Sequence, residues 1–171
     1  MSELKDKWIL CRPQGGLNDI LTVIEKCMRY ANRTHRKVLV QTDHPCAISF
    51  NDDLSNYFVS EDENLCFGSF VSDAFAEETS VYPNELSGRL NSYQTNEKVP
   101  YQNITERLSN IEITFDFRKT YNERVLVHQQ TGGGNTGASC LKRMRLRNRL
   151  LEELNRRYNI LTNEFIGLHI R

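Results

Sequence analysis

The chain has 171 residues, enough for one domain with a real core. Apolar residues make up 39% and charged residues 26%, which excludes a disordered chain, and no apolar run approaches the roughly 18 residues of a membrane-spanning helix. The formal net charge is zero but divided: residues 1–85 carry 8 Lys and Arg against 14 Asp and Glu, residues 86–171 carry 14 against 8, so an anionic ligand is expected to prefer the second half.

Trp8-Ile9-Leu10-Cys11 reads as a short apolar strand, and Arg12-Pro13-Gln14-Gly15-Gly16 as a turn. Leu17, Ile20, Leu21, Ile24, Cys27, Met28 and Ala31 then fall at helical spacing, which predicts an amphipathic helix over 17–33. Lys37 to Gln41 is a second buried strand. Strand, glycine turn, helix and strand within about 35 residues make a βαβ unit with parallel strands.

Residues 51–85 carry nine acidic residues and no Lys or Arg; their apolar patches predict short helices and one strand. Residues 84–104 have loop composition. Ile111 to Phe117 alternates strictly, as a half-exposed strand or a segment packed on one side does. Val125 to His128 is a strand, Thr131 to Gly137 a glycine loop, and Cys140 to Tyr158 a helix with Leu141, Met144, Leu150, Leu151, Leu154 and Tyr158 inward. A last strand runs 165–170. The expected fold class is therefore α/β, a Rossmann-like three-layer αβα arrangement around a mainly parallel sheet.

Four features carry candidate chemistry. In the first glycine loop, Gly15 and Gly16 let the backbone approach a ligand, Arg12 adds a donor fork, and Asn18 and Asp19 stand at the helix start. The competing reading is a plain βα turn in which Asn18 or Asp19 satisfies helix N–H groups. The second loop, Gly132, Gly133, Gly134 and Asn135, fits G-x-G-x-x-G together with Gly137. The acidic residue expected one strand later is replaced by Arg171, which leaves an NADP-binding reading as an alternative.

The third feature is a cationic stretch, Lys142, Arg143, Arg145, Arg147, Arg149, Arg156 and Arg157, read as a solvated helix face or as a surface for an anionic partner. The fourth is His169-x-Arg171 at the carboxyl end of the last strand, where open α/β sheets bind ligands; its competing reading is a buried histidine with a structural ion pair. His128 reads as a core or edge histidine. Neither glycine loop is followed by a Walker lysine, which disfavours nucleoside-triphosphate hydrolysis.

Cys11, Cys27, Cys46, Cys66 and Cys140 are scattered, and His44-Pro45-Cys46 is too small a set for a site, so zinc is not expected. Met1 to Lys7 is polar and offers no signal peptide, which makes the cytoplasm the default location. The sequons at Asn32 and Asn103 then read as coincidence.

Taken together, Arg12-Pro13-Gln14-Gly15-Gly16-Leu17-Asn18-Asp19 and Gly167-Leu168-His169-Ile170-Arg171 give the chain a resemblance to the fucosyltransferase superfamily of two-domain glycosyltransferase B architecture. That group includes bacterial α1,2- and α1,6-fucosyltransferases and protein O-fucosyltransferases. The resemblance implies that Gly15, Gly16 and Asn18 face the interdomain cleft. It implies that Arg171 binds the donor diphosphate and His169 orients it or touches the sugar, without a metal.

Residues 1–164 would be the N-terminal, acceptor-side domain. Residues 165–171 would be its last strand or the first strand of a donor-binding domain. The remainder of the H-x-R-x-G-D motif and that second domain are not in this sequence, so a truncated, inactive fragment is expected. The complete protein would transfer a sugar, fucose from GDP-fucose, to a glycan acceptor in surface polysaccharide biosynthesis. Its partners would be the nucleotide sugar and the glycan, with no nucleic acid; peripheral membrane association is compatible with the composition. The alternative of another class is a non-catalytic module that binds an anionic partner through the basic helix.

Overall fold

In the computed structural model, residues 6–42, 52–68, 73–90 and 113–160 are described. Strand β1 spans Trp8–Gln14, helix α1 Leu17–Thr34 and strand β2 Lys37–Val40. β1 and β2 are parallel, in register from Trp8 opposite Lys37 to Cys11 opposite Val40, so the expected βαβ unit is present.

β1 outruns its apolar stretch. Arg12, Pro13 and Gln14, expected in a turn, continue the strand and pair on the other side as far as Gln14 opposite Thr131. Proline is tolerated here for a geometric reason. The Cys11 carbonyl accepts from the Gln41 N–H at 2.9 Å on the β2 side. Pro13, two residues on, faces the same side. β2 has already ended there, so the missing N–H costs no ladder bond.

α1 buries Ile20, Leu21, Ile24, Cys27, Met28 and Ala31 as the spacing predicts, and Leu17 alone of that set stays 46% exposed. Each buried Ile, Leu or Met of this set contributes about 1.5–3 kcal/mol. The helix stops at His35, whose φ of 53° turns the chain left-handed and whose N–H bonds back to the Ala31 carbonyl. Arg36 follows, 3% exposed. Its guanidinium donates to the carbonyls of Tyr121 at 2.7 Å and Glu123 at 2.8 Å, tying the residues before the next long strand to the end of α1.

Strands β3 (Phe58–Ser60), β4 (Leu65–Phe67), β5 (Val81–Tyr82) and β6 (Val125–Thr131) follow, with the short helix α2 (Asp73–Ala76) between β4 and β5. The main sheet runs β4-β2-β1-β6-β5 and every pairing in it is parallel. Alternation along β1 sorts the core. Ile9 and Cys11 pack with α1, whereas Trp8 and Leu10 pack with Phe75, Val81, Leu86 and Leu90 on the other face. Both faces are covered, as the α/β layer expectation requires.

Two expectations are corrected. The acidic middle is expected to hold one strand and holds three among its described residues, because β4 and β5 find parallel partners in the main sheet and β3 finds a partner in a second, small sheet. Cys140 to Tyr158 is not one helix. It divides into α3 (Gly137–Cys140), a 3-10 turn (Leu141–Arg143), strand β7 (Met144–Leu146) and α4 (Asn148–Tyr158). β7 pairs antiparallel with β3, Phe58 opposite Leu146 and Ser60 opposite Met144.

The physical reason for the break is an ion-pair network. Arg143 donates to Glu25 at 3.0 Å and to Asp62 at 2.9 Å, and this holds the chain extended where the spacing predicts a helix. Of the residues expected to face inward, Met144 is buried, while Leu141, Leu151, Leu154 and Tyr158 are 44–62% exposed.

Ile113–Phe117 belongs to no strand; it is the alternative expected for the alternating stretch, a segment packed on one side. Phe115 is 3% exposed, 4.8 Å from the Tyr30 ring and 4.4 Å from Phe117. The expected last strand, with His169 and Arg171, lies outside the described residues, as do His44 to Cys46 and residues 91–112.

Candidate functional site

β1 and β6 are neighbours along their whole length, so their carboxyl ends lie side by side and each runs into a glycine loop. The loops interlock at the start of α1. The Asn18 side-chain amide donates to the Gly134 carbonyl at 3.2 Å. Asp19 Oδ2 accepts from the Gly16 N–H at 3.3 Å, which caps the helix. Gly15 has φ of 103°, a conformation that disfavours any side chain. A methyl group on Gly132 would collide with the Asp19 carbonyl oxygen, and one on Gly137 would lie 2.8 Å from Asn18 Oδ1.

The structure thus brings Gly15, Gly16, Asn18 and Asp19 together with Gly132 and Gly134. Gly133, Gly134 and Asn135 are exposed beside them. Two of the glycines in the G-x-G-x-x-G match, Gly132 and Gly137, have a packing reason that requires no pyrophosphate: they let the second loop close on α1. The capping role weighed for Asp19 is also present.

Arg12 does not join this group at the surface. It is 2% exposed, Nε donates to Gln41 Oε1 at 3.0 Å and Nη2 donates to the Leu90 carbonyl at 2.8 Å. Its fork ties β1 to the layer beneath the sheet. The strand extension explains this: at position 12 the side chain leaves the face opposite Cys11. His128 is 1% exposed within the core, hydrogen-bonded to Thr114 at 2.6 Å and edge-on to Phe117 at 5.0 Å. Burial, with a smaller push from Lys26, lowers its pKa to about 3, so the ring is neutral and structural.

Sequence reasoning missed the Glu25 network. Glu25 sits on the buried side of α1, 4% exposed, and accepts from Arg29 at 2.8 Å and Arg143 at 3.0 Å. Burial pushes its carboxyl up, but the bonds and charges of the two arginines outweigh burial and the net direction is down. A charged residue among the apolar positions of α1 is the signal that could have found it. Cys11, Cys27 and Cys140 lie buried in the same core, and burial raises Cys11 and takes Cys140 up to about 12, so both stay as thiols.

The cationic stretch does not form one helix face. Arg143 is spent on Glu25 and Asp62, and Arg156 and Arg157 both pair with Glu153, which falls to about 2 under their hydrogen bonds. Arg145, Arg147 and Arg149 gather elsewhere, around a cleft with Asn56, Val59 and Asn148.

Among the described residues no cluster of three His, Cys, Asp or Glu side chains could hold a metal, and no helix is long and apolar enough to cross a membrane.

No protein-family model and no curated protein matches the chain. Solved structures do. The chain is similar to the crystal structure of fucosyltransferase NodZ from Bradyrhizobium, with a TM-score of 0.56 at 14% identity over 91% of this chain and 56% of that one. NodZ alpha-1,6-fucosyltransferase soaked with GDP-fucose matches with 0.56 at 14%, and the form co-crystallized with GDP with 0.57 at 15%. At such identities the likeness establishes the fold. This chain has the mainly parallel, Rossmann-like α/β architecture found in these fucosyltransferase structures, and it spans about half their length.

Proposed function

We propose that the chain is the acceptor-side part of a sugar transferase that uses a nucleotide sugar, with GDP-fucose as the donor and a surface-polysaccharide glycan as the acceptor. The observation that carries this reading is the pair of interlocked glycine loops at the adjacent carboxyl ends of β1 and β6, where α/β sheets place their ligands. The fold likeness to structures soaked with GDP-fucose or co-crystallized with GDP supports the donor class.

In this reading Gly15, Gly16, Gly133 and Gly134 line the sugar side of a cleft, with small side chains that allow close approach. His169 and Arg171 serve the donor diphosphate. A fixed guanidinium meets the charge that develops as the nucleoside diphosphate leaves, by a bidentate bond in a water-poor site, and no metal is required for that step. One phosphate contact does not cage a nucleotide sugar, so weak binding of GDP to these residues alone is expected.

The NADP alternative draws less support, since Gly132 and Gly137 already have a packing role. The interaction-module alternative loses its basic helix, because those residues occupy a turn, a strand and a separate helix.

Titration calorimetry separates the readings. GDP-fucose is expected to bind no tighter than about millimolar, with NADPH giving no heat; micromolar NADPH binding would replace the transferase reading with the dinucleotide one.

A further inference from the structure

A polar concavity that shares no residue with the glycine loops lies between β3 and β7. It has a volume of about 620 Å³ and is lined by Asn56 and Val59 from the β3 side and by Arg145, Arg147, Asn148 and Arg149 from β7 and the opening of α4. It exists because the chain breaks its helix at Arg143. In one continuous helix, residues 145 and 149 would share a face and 147 would point the other way; across a strand end and a helix start all three converge.

Their charges are poorly compensated. Arg145 approaches Glu61 only at 3.6 Å and donates to Asn148 Oδ1 at 2.9 Å. Arg147 is pinned through Nε to the Ser55 carbonyl, a neutral partner. Arg149 has no hydrogen-bond or ion-pair partner among the described residues. The nearby carboxylate of Asp52 is occupied: it accepts from Asn56 Nδ2 at 2.8 Å, the Tyr57 hydroxyl at 2.7 Å and the Asp53 N–H at 2.7 Å. No carboxylate lines the cleft.

α4 has no acidic residue in its first turn, so the positive end of its dipole adds to the same wall. Three guanidinium groups held round one concavity repel one another unless an anion sits between them. Planar donor forks match the oxygens of a tetrahedral oxyanion.

We propose that this cleft binds the phosphate or sulfate ester group of a small polyhydroxylated molecule. The two asparagines favour an ester over a bare ion. Asn148 Nδ2 and Asn56 Oδ1 remain for hydroxyl groups after their partners above are counted, so the wall offers both a donor and an acceptor beside the guanidinium groups. A concave site with three arginines suits one compact ester better than a polymer backbone, because Arg156 and Arg157, further along α4, both turn to Glu153 and do not continue the cluster as a stripe.

The test is titration calorimetry of the intact chain with glucose 6-phosphate, glucose 6-sulfate and inorganic phosphate, on the wild type, Arg149→Gln and Arg156→Gln. Both esters are expected to bind better than inorganic phosphate. Arg149→Gln is expected to weaken them about tenfold, as loss of a charge-assisted contact does, while Arg156→Gln leaves them unchanged.

Thermal melting of the three proteins confirms folding, since both substituted side chains are exposed. Equal weakening in the two variants would show a diffuse charge effect and overturn the site, as would absence of ester binding at about 50 mM, far above any useful affinity. Sedimentation of the chain with phosphatidylglycerol vesicles, lost in Arg149→Gln while the soluble esters fail to bind, would assign the cleft to a membrane surface instead. The cleft shares no residue with the glycine loops, so failure here leaves the transferase reading untouched.

Discussion

Asn18 reaches across from the first turn of α1 to the carbonyl of Gly134, joining two loops that are 116 residues apart in sequence. This bond, together with the close seat of Gly132 against Asp19, makes one structure out of two sequence motifs. Gly132→Ala is therefore expected to destabilise the protein by about 1–3 kcal/mol, the usual cost of forcing a methyl group into filled space. Asn18→Ala is expected to cost about 1 kcal/mol, since its amide is solvent-exposed. Urea unfolding checks both; a neutral Gly132→Ala would show that the loops do not close on one another.

Glu25 ties α1 to the segment that breaks the expected long helix. Removing one member of a buried pair strands the other, so Glu25→Gln is expected to cost about 2–4 kcal/mol, reduced from the fully buried case because Arg143 is 22% exposed. The carboxyl is held below its ordinary 4.5, so its contribution is complete above that pH and is lost as the pH falls through the lower folded value. Urea midpoints from pH 6 to 3 should fall less steeply below pH 4.5 in Glu25→Gln than in the wild type.

His128 gives a separate acid signature. Its ordinary pKa is 6.5 and its folded value about 3, so the unfolded chain takes up a proton across that interval and the folded one does not. Stability is then full above 6.5 and falls as the pH drops from 6.5 towards 3. The decline begins about two units above that of Glu25, which makes the two separable. His128→Phe, placed among Phe115 and Phe117, is expected to flatten the curve between pH 6.5 and 4.5.

Arg12 acts as a structural tie. Arg12→Met leaves the Leu90 carbonyl without its donor and is expected to cost about 1–3 kcal/mol with little volume change. Chemical denaturation measures it. A fully stable Arg12→Met that alters ligand binding would return Arg12 to the role read from the sequence.

Much of the fold was legible because its period was clean. α1 reads at helical spacing and β1, β2 and β6 as short apolar runs, so the central βαβ unit follows directly. The segment 140–158 misled for a stated reason: Leu141, Met144, Leu151, Leu154 and Tyr158 fall at helical spacing, but the competing ion pairs of Arg143 with Glu25 and Asp62 are formed by residues 118 and 81 positions away. Local periodicity carries no information about such partners.

The strand character of Arg12 to Gln14 was hidden by Pro13, whose tolerance depends on where β2 ends. At the candidate site, the glycines were visible as motifs. Their contact with each other was not, because only the parallel pairing of β1 with β6 brings the loops together.

The central claim is that the joined glycine loops face a sugar carried on a nucleotide. Amide NMR of the chain titrated with GDP-fucose to about 10 mM, where even millimolar ligands populate the complex, tests it most directly. The account predicts fast-exchange shifts concentrated at Gly15, Gly16, Asn18, Gly133, Gly134 and Asn135, reduced in Asn18→Ala. An unshifted set of loop amides, with changes confined to another surface, would contradict it.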